Sequence, residues 1–151
     1  MNEPRGKLNK SRRRLPHWEL NGATYFVTFR LLKGLLTERE RQIVFDHLIE
    51  GDGKFYSMDI AIVMPDHYHL LIRPKPAYDL SRVMKGIKGV SAKLINQSRG
   101  TNGSIWQDES HDRIMRDEEE ALEKARYILE NPVRAGLVQR ASDYSFYHIN
   151  I

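Results

Sequence analysis

Two segments in close succession, Phe55 to Val63 and His67 to Arg73, constrain this chain more than any other part of it. Both are dense in β-branched, aromatic and aliphatic residues and read as strands, with Met64-Pro65-Asp66 as punctuation between them and Pro74 and Pro76 closing the second. A third strand is expected earlier, over Ala23 to Arg30. Thr37 followed by Glu40 forms a capping-box pattern that opens a helix through Glu50, and Gly51-Asp52-Gly53 ends it. Asp79 or Ser81 opens another helix reaching Gln97, with Leu80, Val83, Ile87, Val90 and Leu94 on one stripe. Short strands are expected over Ser104 to Gln107 and Asp112 to Met115. A last helix starts among Asp117-Glu118-Glu119-Glu120, where the macrodipole favours acids. Asn131-Pro132 stops it, because the residue before proline avoids helical geometry. The tail after Gly136 reads as irregular. This order predicts an α+β layer, with helices packed on a mainly antiparallel sheet.

A length of 151 residues fits one domain, and 40% hydrophobic with 29% charged residues describes an ordinary globular composition. The longest apolar runs, such as Ile60 to Met64, fall far short of the roughly 20 residues a membrane span needs. The N-terminus lacks the apolar stretch of a signal peptide. The absence of cysteine excludes disulfides, thiolate zinc sites and a cysteine nucleophile, and fits a cytoplasmic protein.

Charge is unevenly placed. Residues 1–17 hold six bases, including Arg12, Arg13 and Arg14, against the single acid Glu3, while the remainder has 18 bases and 19 acids. The second helix carries Arg82, Lys85, Lys88 and Lys93 away from its apolar stripe, with Gly86 and Gly89 beside them and no acid between Asp79 and Asp108. Bases next to residues without side chains would let a phosphate backbone approach closely. A mobile terminus and a solvated helix face are the plainer readings of both features.

The chemistry concentrates in two places. His67 and His69 alternate with Tyr68 on a strand, so both imidazoles point to one face and can offer nitrogens to one divalent metal. Paired surface or hydrogen-bonded histidines are the competing reading. A histidine-triad hydrolase would need a third histidine where Leu71 stands, and a paired His-x-Thr/Ser phosphoesterase needs a second motif that is absent. A cupin site needs an all-β jelly roll, against which the helices argue. On the last helix, Ala121, Leu122, Ala125, Ile128 and Leu129 form the apolar stripe, and Tyr127 lies about 150° from its centre. Asn131, four residues on, stacks on the same side as Tyr127, with Lys124 and Glu120 near. If that face meets the histidines, a phenol stands beside a metal; otherwise Tyr127 packs on a neighbouring element. A phenol with an ordinary pKa near 10 attacks poorly at neutral pH unless nearby charge helps. A divalent ion can polarise a phosphoryl oxygen and orient it for in-line attack, which points to a phosphodiester substrate.

In these blocks, and in Arg13-Arg14-Leu15-Pro16-His17-Trp18, Gly22 to Thr28, Trp106-Gln107, Asp112-Arg113-Ile114 and Tyr127 to Val138, the chain resembles single-tyrosine HUH transposases. The resemblance is nearest to the REP-associated tyrosine transposases, and Tyr68 is the bulky residue between the two histidines. It implies a single HUH transposase domain over 1–151 with a ferredoxin-like fold, a mainly antiparallel sheet with helices packed on one face. It implies a metal, Mg²⁺ or Mn²⁺, on His67, His69 and the polar Asn131. Tyr127 would be the nucleophile on single-stranded DNA, leaving a 5′-phosphotyrosine and a 3′-hydroxyl. It also implies recognition of DNA hairpins with a flanking tetranucleotide, for which Arg12, Arg13, Arg14, Arg82, Lys85 and Lys88 are the candidate contacts, by a monomer or homodimer. His111 stands where relatives often carry an aromatic residue, and Tyr144-Ser145-Phe146 matches the family's aromatic-serine ending only loosely. A catalytically dormant DNA or RNA hairpin binder of this fold, and a metal-dependent nuclease in which water attacks, are the competing functions.

Overall fold

The computed structural model describes residues 22–150; the basic arm at 1–17, with Arg12, Arg13 and Arg14, lies outside the described residues. Its elements are β1 (Tyr25–Arg30), α1 (Glu38–Gly51), β2 (Tyr56–Val63), β3 (His67–Pro74), α2 (Leu80–Arg99), β4 (His111–Ile114), α3 (Glu118–Leu129), a single turn α4 (Asn131–Arg134) and β5 (Tyr147–Ile149). The strands form one antiparallel sheet in the order β4-β1-β3-β2-β5. The first four strands and two helices thus follow the ferredoxin-like plan, with β5 added at the β2 edge. The expected capping box is formed: Thr37 Oγ1 accepts from the Glu40 amide, and Glu40 returns a carboxylate oxygen to the Thr37 amide. Asp79 and Asp117 cap α2 and α3 in the same way through their side chains. Among the described residues, no helix is long and apolar enough to cross a membrane.

Strand alternation divides the sheet into two faces, and Tyr68 shows how. Its ring is fully buried, stacked on Phe29 with centroids 4.8 Å apart and set edge-on to Trp106 at 4.9 Å. Tyr68, Leu70 and Ile72 face α1 and α2, together with Phe29 and Val27 from β1. The intervening residues His67, His69 and Leu71 must then face the other way, where α3 lies. Ala121, Leu122, Ala125 and Ile128 bury the inner stripe of α3 as the sequence predicts. Helices therefore share a face for α1 and α2, whereas α3 takes the opposite one.

Three details depart from the sequence-based reading. The buried side of α2 is Val83, Met84, Ile87, Ser91 and Ile95, so Val90 is turned outward. Ser91 enters the core because its hydroxyl accepts a 2.9 Å hydrogen bond from the Trp106 indole. Ser104 to Gln107 makes only an isolated bridge, Leu31 to Trp106, in place of a strand. The tail is more ordered than expected: Pro132 near the start of α4 begins a new turn, and β5 pairs with β2. The tail's Tyr144 and Phe146 are buried, with the Tyr144 hydroxyl donating to the Val63 carbonyl and its pKa pushed up by burial to about 12.

Two ion pairs lock the frame. Arg99 at the end of α2 donates to both Glu40 oxygens, at 2.6 and 3.1 Å, and holds that carboxyl below its usual range. Deeper still, a bulge in β2 places Asp59 against Arg73 of β3, with two hydrogen bonds of 2.7 and 2.8 Å and both side chains essentially inaccessible. Arg73 also donates to Thr24 Oγ1 at 3.0 Å. Removing one partner strands a buried charge, so Asp59→Ala should lower the unfolding free energy by about 3–5 kcal/mol in denaturant titration. Asp59→Leu with Arg73→Met should recover most of that loss; a single-variant loss below about 1 kcal/mol would contradict this account.

Candidate active site

The outward face of β3 begins with the two histidines, their ring centroids 4.6 Å apart. Each is tethered through Nδ1, by a different group. His67 Nδ1 lies 2.7 Å from an Asp66 carboxylate oxygen. His69 Nδ1 lies 2.8 Å from Thr28 Oγ1 on β1, the residue paired with it in register. A proton on His67 Nδ1, directed at the carboxylate, leaves Nε2 with its lone pair, and Asn131 Nδ2 sits 3.2 Å from that nitrogen. His69 is buried and packs beside Phe26 at 5.1 Å. Burial drives its pKa down to about 3, and His67, Arg30, Lys124 and Arg134 act in the same direction. The imidazole is therefore neutral, the form that binds metals, throughout the physiological range.

The facing wall comes from α3 and α4. Tyr127 points off the apolar stripe, 49% exposed, with its ring 6.3 Å from that of His69. Two cations lie against it. Lys124 Nζ lies 5.1 Å from the Tyr127 centroid and 4.7 Å from that of Phe26. The Arg134 guanidinium carbon lies 4.1 Å from the Tyr127 centroid, and Arg134 Nη2 donates to the Tyr127 carbonyl at 2.6 Å. At the other end of α3, Glu120 binds the Arg113 side chain and the Arg116 amide, tying the helix to β4. Arg113, whose role sequence alone leaves open, thus helps seat the helix that carries Tyr127.

Sequence reasoning pairs His67 with His69 and Tyr127 with Asn131, the family resemblance joins the two pairs, and the structure brings these four onto one sheet face. Among the described residues, no cluster of three or more His, Cys, Asp or Glu side chains is arranged to hold a metal. A divalent ion would depend on the two imidazoles and the Asn131 amide, whose oxygen turns inward by rotation about one bond. The chemistry of the set fits: two imidazole nitrogen donors, each with its Nδ1 hydrogen-bonded elsewhere, and one amide oxygen. His111 stands opposite Thr28 on β4 and is exposed, a strand further out than Thr28, so it joins no such set.

The basic candidates are placed differently. Arg82, Lys85 and Lys88 lie on α2, across the sheet from Tyr127. Arg82 stacks over Tyr78 at 5.2 Å, Lys85 is exposed, and Lys88 Nζ donates to the Asp108 carbonyl at 2.6 Å. Of the cations that do surround the site, Lys124 is the one the sequence reading sets near Tyr127, whereas Arg30 and Arg134 escape it. Lys124 and Arg134 stand three before and seven after Tyr127, and only the turn from α3 into α4 brings Arg134 back over the ring.

Residues 30–130 match the family model described as Transposase IS200 like. The chain belongs to that family. No curated protein sequence matches it. Among solved structures it is similar to a REP-associated tyrosine transposase bound to a REP hairpin, with 23% identity and a TM-score of 0.69, over 94% of this chain and 81% of that one. That likeness shows the shared fold. A candidate transposase from Deinococcus radiodurans R1 is 19% identical with a TM-score of 0.48, over 75% of this chain and 93% of its own.

The His69 environment sets a pH dependence. An unfolded histidine takes up its proton near pH 6.5, whereas the folded chain refuses it until about pH 3. Between those values the unfolded state binds more protons, so unfolding free energy falls as the pH is lowered through that window. In chelator-containing buffer, wild type should lose more stability than His69→Gln between pH 6.5 and 4.5. Parallel pH–stability curves would contradict the burial argument.

Proposed function

We propose that this protein is a metal-dependent single-stranded DNA endonuclease and strand transferase, working as one domain, with Tyr127 as nucleophile beside DNA hairpins. The observation that carries the reading is the meeting of two segments about 60 residues apart, His67/His69 and Tyr127/Asn131, on one face of the sheet. Membership of the IS200-like transposase family supports the same class.

In this reading the Tyr127 hydroxyl oxygen attacks a backbone phosphorus and forms a P–O bond. The bond from phosphorus to the 3′ oxygen breaks. The phenol loses its proton to solvent, the leaving oxygen gains one, and a 5′-phosphotyrosine and a 3′-hydroxyl result. Bond energy is conserved, so a second 3′-hydroxyl can reverse the step on another strand. His67, His69 and Asn131 would hold the divalent ion, Mg²⁺ or Mn²⁺, which when bound polarises the phosphoryl oxygen and offsets its charge. Lys124 and Arg134 lie against the phenol ring and add positive charge beside the position of the phosphate. Because Arg82, Lys85 and Lys88 lie across the sheet, they and the arm residues Arg12, Arg13 and Arg14 are assigned to the DNA outside the cleaved bond.

The test separates cleavage from binding. With Mn²⁺ and single strands carrying hairpins from around its own gene, the wild-type protein should cut at a fixed position, and chelator should abolish the cut. His67→Ala with His69→Ala should reduce cleavage to background while hairpin affinity stays within a few-fold. Tight hairpin binding with no cleavage by wild type would favour the dormant binder. Binding lost in parallel with cleavage would make the histidines structural.

A further inference from the structure

We infer that Thr28 is a positioning residue for His69, holding its Nδ1 proton so that the Nε2 lone pair faces the site. The inference rests on the metal-dependent reading above and concerns a residue outside the proposed ligand set. A hydroxyl can donate or accept, so a 2.8 Å contact alone does not fix which atom carries the proton. The surroundings decide it. Thr28 occupies one side of the imidazole, buried on β1, and so fixes Nδ1 against the sheet. The rest of the ring looks toward Tyr127, over which the Lys124 and Arg134 cations lie, and Arg30 sits beside His67 in register. A lone pair directed at those cations is favoured over an N–H, so the proton belongs on Nδ1 and Thr28 Oγ1 accepts it. His67 reaches the same tautomer through the Asp66 carboxylate, which can only accept when ionised. The two rings then present equivalent nitrogens, one fixed by an exposed carboxylate and the other by a buried hydroxyl. Partners of this kind hold the tautomer and orientation of a metal-binding imidazole, and losing one typically weakens metal affinity about 10- to 100-fold.

Thr28→Val keeps the shape of the side chain and removes the acceptor; Thr28→Ser restores it. Long-range ¹H–¹⁵N spectra of metal-free protein with labelled imidazoles read the tautomer directly, with the His69 signal assigned by its loss in His69→Gln. Mn²⁺ affinity measured by titration calorimetry gives an independent readout, and a thermal melt checks that each variant is folded. Wild type and Thr28→Ser should show the proton on Nδ1 of His69. Thr28→Val should lose that preference and bind Mn²⁺ about 10-fold or more weakly. Finding the proton on Nε2 in wild type, or wild-type Mn²⁺ affinity in folded Thr28→Val, overturns the inference. If wild type binds no Mn²⁺, or the double histidine variant binds it equally well, the metal reading fails and the metal-positioning role falls with it. The tautomer spectra then still separate an orienting Thr28 from an inert one.

Discussion

The burial of Tyr68 is the constraint on which the rest of the site depends. Its ring fills the space between Phe29 and Trp106, beneath Ser91 of α2, and burial strongly disfavours its ionisation. Because β3 is paired on both sides, by β1 and β2, a one-residue slip of its register would turn this ring into the opposite layer. The flanking histidines are thereby committed to the other face. The motif is thus one strand with two jobs: its middle residue anchors the sheet to α2 and Trp106, and its outer residues face α3.

The second half of the site arrives by helix packing. The small residues Ala121 and Ala125 let α3 lie close to the sheet, with Leu122 and Ile128 filling the space beside them. Tyr127 is then left at the margin of that contact, where the cations of Lys124 and Arg134 lie against its ring, Lys124 also lying against that of Phe26. Pro132 completes the arrangement. By ending α3 it starts α4, and that single turn directs Asn131 at His67 and Arg134 back over Tyr127. One short turn therefore touches both the candidate metal donors and the candidate nucleophile.

Much of this was legible from local pattern. The alternation at His67-Tyr68-His69, the Thr37 capping box and the proline at 132 each have local physical causes, and the structure carries all three. The off-stripe position of Tyr127 followed from helical periodicity, and its meeting with His69 from the family resemblance. What local pattern could not supply was the assignment of helices to faces. Strand order and crossover geometry set that, and it moved Arg82, Lys85 and Lys88 away from Tyr127. Ser91 reads as a polar interruption in α2 until Trp106 is seen to need an acceptor. Thr28 reads as an ordinary β-branched strand residue until the β1–β3 register sets it opposite His69. Residues 147–149 are too short a run for alternation to announce a strand and become one by pairing with β2.

The central claim is that a phenol oxygen, and no water molecule, forms the new bond to phosphorus. The measurement that tests it most directly is a denaturing gel of protein incubated with Mn²⁺ and labelled hairpin-bearing single strands, followed by intact mass of the shifted species. The account predicts a band at the summed mass of protein and the DNA fragment 3′ of the cut, absent with Tyr127→Phe and with chelator. Cleaved DNA with no protein attached, or an adduct that persists in Tyr127→Phe, would contradict it.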